Sequence, residues 1–291
     1  MEFLRRASNP WGQEVLLGIA WNLIWAAVIV GLVFVIGHAL YVKLMAQPET
    51  GEANQSGNGA AAGIPAKILR HATSARAFHW LMSIAMFVLL ITAFFPVIGI
   101  RFPWVTIHWI AGIGLLATIV YHIVHATVWR DFWAMWIDKR DIDDGSVGMK
   151  RFFKKTDAAV PKAGKYPLDH KLYHHAIAAV SGAAIATGLL MMVRVDTPFW
   201  ARNPYILSDG MWGLVYVVHG LSGVALITMV IAHIYFAIRP EKRWLTMSMI
   251  NGWVGRDDYL EHFDPKRWIV SGASDAKDAP VLEERGKQPV A

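Results

Sequence analysis

The sequence predicts an all-α integral membrane protein with five spanning helices, and three observations carry that prediction. Hydrophobic residues make up 55% of the 291 and charged residues only 17%, against roughly 25% charged in ordinary globular chains. The apolar residues gather into five long blocks instead of spreading through the chain. Each block exceeds the roughly 20 residues that cross a hydrocarbon core of about 30 Å. Barrel strands would be only about 9–11 residues long and strictly alternating, so helix is the spanning form. A soluble cytosolic enzyme is excluded.

The first block runs from Val15 to Leu40, with Asn22 and His38 as its polar members. Arg5 and Arg6 precede it in the manner of a signal peptide, yet it far outruns the ~7–15 apolar residues of a signal core. A retained helix within residues 1–46 is expected. Residues 47–69, rich at first in Gly, Ala, Asn and Ser, read as a flexible linker. The second block, Phe78–Ile100, and the third, Val105–Trp129, are separated only by Arg101–Trp104 and so form a tight helical hairpin. Tyr173–Val193 and Trp212–Ile238 are the fourth and fifth. Residues 70–240 are thus a four-helix core, 241–270 a C-terminal segment, and 271–291 a polar tail expected to be disordered.

Lys and Arg set the orientation. The stretch Arg130–Lys171 carries Arg130, Lys139, Arg140, Lys150, Arg151, Lys154, Lys155, Lys162, Lys165 and Lys171, whereas the loops Arg101–Trp104 and Arg194–Met211 are nearly free of them. The positive-inside rule puts the long loop and the tail with Arg239, Lys242 and Arg243 inside. Five crossings then leave the N-terminus outside, with Glu2 and Glu14 offsetting Arg5 and Arg6. The net charge of +6 follows from this bias and gives no reason to expect a nucleic-acid partner. Cysteine is absent, which excludes disulfides, iron–sulfur clusters and thiolate metal sites. Twelve histidines carry most of the remaining ligand chemistry.

Ionisable residues inside membrane helices are costly and usually functional. His219 and His233 lie fourteen residues apart on the fifth helix, which at about 100° and 1.5 Å per residue puts them on one face some 21 Å apart. That is the spacing two stacked haems need from one helix. His79, at the inside end of the second helix, is level with His233. His108, at the outside end of the third, is level with His219. The pairs His79/His233 and His108/His219 therefore predict two haems, with imidazole as the axial ligand and the bundle interior as the site. Gly112, Gly114, Gly220, Ser222 and Gly223 leave room for a flat macrocycle. His122 is also fourteen residues beyond His108, and His125 follows one turn later. Either is open to an inner-ligand, propionate or quinone role. His38 has no partner at its depth and reads as packing, and His174 and His175 open the fourth helix near the surface.

These residues resemble a known family. Ser74-Ala-Arg-Ala-Phe-His79-Trp80, Ile107-His108-Trp109-Ile110-Ala111-Gly112, Lys165-Tyr166 through Thr187-Gly188, and Val218-His219-Gly220-Leu221-Ser222-Gly223 continuing to Ala232-His233-Ile234-Tyr235 are similar to the four helices of the cytochrome b (γ) subunit of respiratory formate dehydrogenases. The likeness extends from Arg70 to Trp268. It implies two haem b groups, a periplasmic iron–sulfur (β) subunit and a molybdenum or tungsten catalytic (α) subunit as partners, and a bacterial inner-membrane location. The N-terminus would be periplasmic and the C-terminus cytoplasmic. Electrons would pass from the outer to the inner haem and on to menaquinone or ubiquinone at the cytoplasmic side. Where the family carries Asn and Gln before its third helix, this chain reads Tyr166-Pro167-Leu168-Asp169-His170, so His170, His174 or His233 is expected near the quinone instead. Formate oxidation itself is not expected of this chain. The b subunits of nickel–iron hydrogenases and thiosulfate-type reductases share the plan. A histidine-relay transporter is the reading from a different class, but the broken helices and inverted repeats of transporters are not visible.

Overall fold

The structure is a computed structural model describing residues 3–45, 63–129, 132–153 and 158–270. Five helices are long and apolar enough to cross a membrane: α1 (Asn22–Met45), α2 (Thr73–Phe94), α3 (Trp104–Trp129), α5 (Leu168–Met192) and α6 (Asp209–Ile238). Their side chains look outward to a degree that water would not allow. Val33, Ile84 and Val128 are each about 60% exposed, as lipid-facing residues are. Three shorter helices, α4 (Lys139–Phe152), α7 (Arg243–Asn251) and α8 (Arg256–His262), and four short strands complete the order.

The chain divides into two compact units. The first draws on Met1–Pro48, Phe78–Ile119 and Ala176–Pro240. It opens with a hairpin that the hydropathy pattern did not predict: β1 (Leu4–Ser8) pairs antiparallel with β2 (Glu14–Ile19). The first apolar block therefore starts as a strand, and helix begins only at Asn22. The turn accounts for this. Asn9 Oδ1 accepts from the amides of Trp11 and Gln13 (3.1 and 2.9 Å), Gly12 takes φ +79°, and Arg6 pairs with Glu14 across the strands at 2.9 Å. The strand β2 then lies on α6. A Cβ on Gly213 would stand 2.6 Å from Leu16 Cβ, and one on Gly220 would stand 2.8 Å from Ile19 Cγ1. Gly220 thus serves this contact and not the approach of a macrocycle. On the same helix Thr228 Oγ1 donates to Ala27 O of α1 (3.1 Å), a polar link of the kind that joins membrane helices. The α2 helix stops at Phe94, short of the expected Ile100. A 3-10 turn over Phe95–Ile98 follows, with Pro96 in its first turn and Gly99 at φ +87° closing it.

The second unit draws on Glu49–Ala77, Val120–His175 and Glu241–Ala291. It has an aqueous-style core of Ile68, Val254, Tyr259, Phe263 and Trp268. Strand β3 (Lys67–Leu69) pairs antiparallel with β4 (Trp253–Gly255), so the last residues of the expected linker are ordered sheet. Residues 47–62 of that linker and the expected disordered tail, 271–291, lie outside the described residues. Arg70 is 4% exposed. Its guanidinium stands over the rings of Phe263 and Trp268 at 5.0 and 5.4 Å, and it donates to Lys165 O at 2.9 Å. Burial among these rings brings its pKa down to about 10.

Helix α4 occupies what the sequence presented only as a basic loop. Asp138 caps it in a reciprocal box with Asp141, each side chain accepting from the other's amide at 2.9 Å. Asp141 in turn receives the Lys171 ammonium at 2.7 Å, with the two side chains 6% and 10% exposed.

Candidate functional site

Helix α6 runs unbroken from Asp209 to Ile238, so His219 and His233 keep the common face that their spacing requires. In the first unit His219 meets His108 of α3, with ring centroids 6.2 Å apart and planes at 73°. An imidazole nitrogen sits about 2 Å from a first-row metal. Two rings facing one metal from opposite sides therefore hold their nitrogens about 4 Å apart and their centres roughly 6 Å apart. The observed separation fits that arrangement.

Hydrogen bonding fixes which nitrogen of each ring is available. Thr92 is 2% exposed, and its hydroxyl donates to Val88 O at 2.7 Å. The same oxygen lies 2.7 Å from His108 Nδ1. With its own proton already given away, Thr92 Oγ1 accepts, and His108 Nδ1 carries the donated proton. Thr187 repeats the device on α5. Its hydroxyl donates to Ala183 O (2.6 Å) and accepts from His219 Nδ1 (3.0 Å), which also reaches Ala184 O at 3.1 Å. Each ring is thereby held as the tautomer whose Nε2 bears a lone pair, the form that binds metal. Gly188 supplies the clearance: a Cβ there would come within 3.3 Å of His219 Cε1. Gly114 and Gly223 face open space. Thr92, Thr187 and Gly188 were not singled out as site residues by sequence reasoning. They lie on other helices from the rings they serve, and no motif announces them.

His79 and His233 also belong to the first unit and are close enough for their charges to interact. His79 Nδ1 is buried with no hydrogen-bond partner among the described residues, an orphaned polar atom in a place where ligands are expected. The remaining histidines separate by environment. His38 bonds Tyr235 Oη at 3.0 Å. His125 Nε2 bonds Ser74 Oγ at 3.0 Å and its ring stacks on Tyr121. His170 approaches the exposed Asp169 carboxylate at 4.0 Å, and His175 Nδ1 lies 2.8 Å from Lys171 O. In the second unit His122 and His174 form another facing pair, with centroids 6.2 Å apart and planes at 70°, and His174 Nδ1 is buried with no hydrogen-bond partner among the described residues.

Among the described residues no three His, Asp or Glu side chains gather to hold a bare metal ion. His108 and His219 meet as a pair. Paired imidazoles suit a metal whose other positions are filled by a macrocycle.

Residues 70–252 match the family described as prokaryotic cytochrome b561. The chain belongs to that family. The match spans α2, α3, α5 and α6 with all four candidate histidines and leaves α1 outside. Over 206 residues the chain is 25% identical to the formate dehydrogenase, cytochrome b556 subunit, of Haemophilus influenzae, covering 65% of this chain and 77% of that protein. Membership makes the chain a multi-pass membrane cytochrome and implies haem b. The residues present fit that group: two facing rings at a metal's span, with their tautomers set by buried hydroxyls.

Proposed function

We propose that this chain is the membrane-anchoring, di-haem subunit of a formate-dehydrogenase-type complex. It would take electrons from a periplasmic iron–sulfur partner and deliver them to quinone at the cytoplasmic side of the bacterial inner membrane. The observation that carries the reading is the His108/His219 pair, whose two Nδ1 atoms are held by Thr92 and Thr187. The related Haemophilus subunit supports formate dehydrogenase as the type of complex. Four of the five spanning segments are single α-helices, and the other, Thr73–Ile98, departs from α-helix only in the 3-10 turn at its end, which favours a fixed electron path over the broken helices of a transporter.

In this reading His108 and His219 hold the outer haem, and His79 and His233 the inner one. Bound iron supplies reversible one-electron transfer, tuned by burial and by the hydrogen bonds on its ligands. Thr92 and Thr187 hold the outer imidazoles in the binding tautomer and prevent the rings from rotating. The about 21 Å of α6 between His219 and His233 carries the path inward. His174, near the inside end of α5, offers its buried Nδ1 to a quinone carbonyl, while the basic loop and tail keep that end in the cytoplasm.

The test is His233→Ala in the intact membrane complex. One haem should be lost and formate-driven quinone reduction abolished, while the iron–sulfur and catalytic subunits still co-purify. Normal quinone reduction by that variant rejects the path. Co-purification with a hydrogenase or thiosulfate-reductase catalytic subunit would retain the haem ligands and replace the partner.

A further inference from the structure

Helix α4 carries an exposed apolar stripe that the site does not use. Ile142, Met149, Phe152 and Phe153 are each 59–61% exposed, and Trp133, just before the helix, is 60% exposed. At about 100° per residue, Ile142, Met149 and Phe153 fall within a sector of roughly 40°. Lys139 and Lys150 border one flank of that sector, about 60–80° round from Ile142, whereas Arg140 and Arg151 lie on the opposite face of the helix; all four are exposed.

Two of the three acidic residues of the same helix are turned into the protein. Asp141 is buried against Lys171, and Asp144 is held by Arg267 with side-chain exposures of 25% and 19%. Gly145 lets that side close on the start of α5, since a Cβ there would meet Leu168 Cδ2 at 2.5 Å. Of the helix's acidic side chains only Asp143 is left exposed. The sequence of α4 is nearly balanced in charge, but its exposed apolar stripe is flanked on one side by two lysines, with Asp143 beyond them.

We infer that α4 lies in the headgroup layer of the bilayer, with Ile142, Met149 and the capping Phe153 in the acyl boundary and Lys139 and Lys150, along one flank, on anionic phospholipid phosphates. The position in the chain supports this. The α3 helix ends at Trp129 and α5 begins at Leu168, so α4 connects two spanning helices on one side of the membrane, at the level of their ends. An apolar stripe bordered by Lys and Arg is the pattern of interfacial helices, and basic groups beside a membrane are attracted to anionic headgroups. A protein partner would need acidic groups around an apolar groove. Anionic lipid meets the same demand in the medium where the chain already resides.

The absence of cysteine allows a direct test. Single variants Met149→Cys, Phe153→Cys and Asp143→Cys are spin-labelled in the haem-loaded chain and placed in nanodiscs of phosphatidylcholine with or without phosphatidylglycerol. An unchanged haem spectrum certifies the fold of each variant. Labels at 149 and 153 should be several-fold more accessible to oxygen than to a water-soluble nickel chelate, with the ratio reversed at 143. The contrast should grow with phosphatidylglycerol, and the double variant K139Q/K150Q should lose that growth. Labels at 149 and 153 as open to the nickel chelate as the label at 143 would overturn the inference. Shielding from both reagents would also overturn it, by pointing to a protein-covered face. Equal contrast in the two lipid mixtures would remove the anionic headgroup from the proposal.

Discussion

Two pairs of imidazoles in this chain are nearly identical in ring geometry and differ in what stands behind them. His108 and His219 face each other at 6.2 Å and 73°, and His122 and His174 at 6.2 Å and 70°. Behind the first pair, Thr92 and Thr187 hold Nδ1 and leave Nε2 bare. Behind His174 no such anchor stands among the described residues, and its Nδ1 is buried without a partner there. Ring separation alone is therefore a poor signature of a haem pair; the fixed tautomer marks the outer one, whereas His79, whose Nδ1 is as unpartnered among the described residues as that of His174, is assigned by its level with His233. The largest expected effect breaks the comparison directly. His219→Ala should lose one haem per chain in a pyridine haemochrome assay, while His174→Phe keeps the full complement. Loss of a haem from His174→Phe would make the anchoring threonines irrelevant and reopen His122 as an inner ligand.

The two units also differ in how they hold buried polar groups. The first sets neutral hydroxyls against neutral imidazoles, and the second uses the ion pair between Asp141 and Lys171 at 2.7 Å. Removing one partner of a buried pair costs about 3–5 kcal/mol because the other charge is left uncompensated. Asp141→Ala should therefore release α4, read as accelerated proteolysis within residues 139–152 and a lowered Tm. Asp141→Leu with Lys171→Met should recover most of the loss. Burial pushes the Asp141 carboxyl up, but the Asp138 amide, the Lys171 ammonium and the more distant Arg267 together hold it below the ordinary 3.8. A depressed carboxylate stabilises the folded state fully above its unfolded pKa and loses that contribution as pH falls through the lower folded value. Acid sensitivity of α4 should thus appear below about pH 3.8 and vanish in the Asp141→Leu, Lys171→Met pair.

What could be read in advance was what one helix or one composition contains. The five spans follow from hydropathy, and the alignment of His219 with His233 follows from the pitch of a single helix. The hairpin was hidden because Val15–Ile19 is as apolar as the helix that follows, and only the Asn9 turn diverts it. The α4 helix was hidden because its Lys, Arg and Asp residues look like a solvated loop until Lys171 and Arg267, remote in sequence, take the acidic ones. Thr92, Thr187 and Gly188 act on rings 16 to 32 residues away, through packing that no local pattern encodes. Gly220 read correctly as a close-approach site, but the group that approaches is Ile19.

A smaller effect sharpens the same comparison. Thr187→Val removes the acceptor for His219 Nδ1 while keeping the shape of the side chain. Ala184 O, 3.1 Å from that nitrogen, remains as an acceptor, so the tautomer is weakened and not reversed. Losing an outer-shell partner of a metal-bound histidine typically costs about 10–100-fold in affinity. With Ala184 O retained, the low end of that range is expected, read as slow haem loss to an apo-acceptor and a shifted midpoint potential for one haem only. An effect on both haems would mean that Thr187 supports the bundle and not the ring.

The smallest expected effect concerns His38. Its Nδ1 lies 3.0 Å from Tyr235 Oη and 3.3 Å from Arg239 Nη1. A guanidinium can only donate, so His38 accepts at Nδ1 and keeps its proton on Nε2, as a neutral clasp between α1 and α6. Because α1 lies outside residues 70–252, the core should keep its chemistry without the clasp. His38→Ala and Tyr235→Phe should each lower stability by about 1 kcal/mol, the net contribution of one hydrogen bond, and the double variant should cost little more than either alone. Both haems should stay bound with unchanged spectra. A haem lost from His38→Ala would make α1 part of the electron path and not a helix clasped to its side.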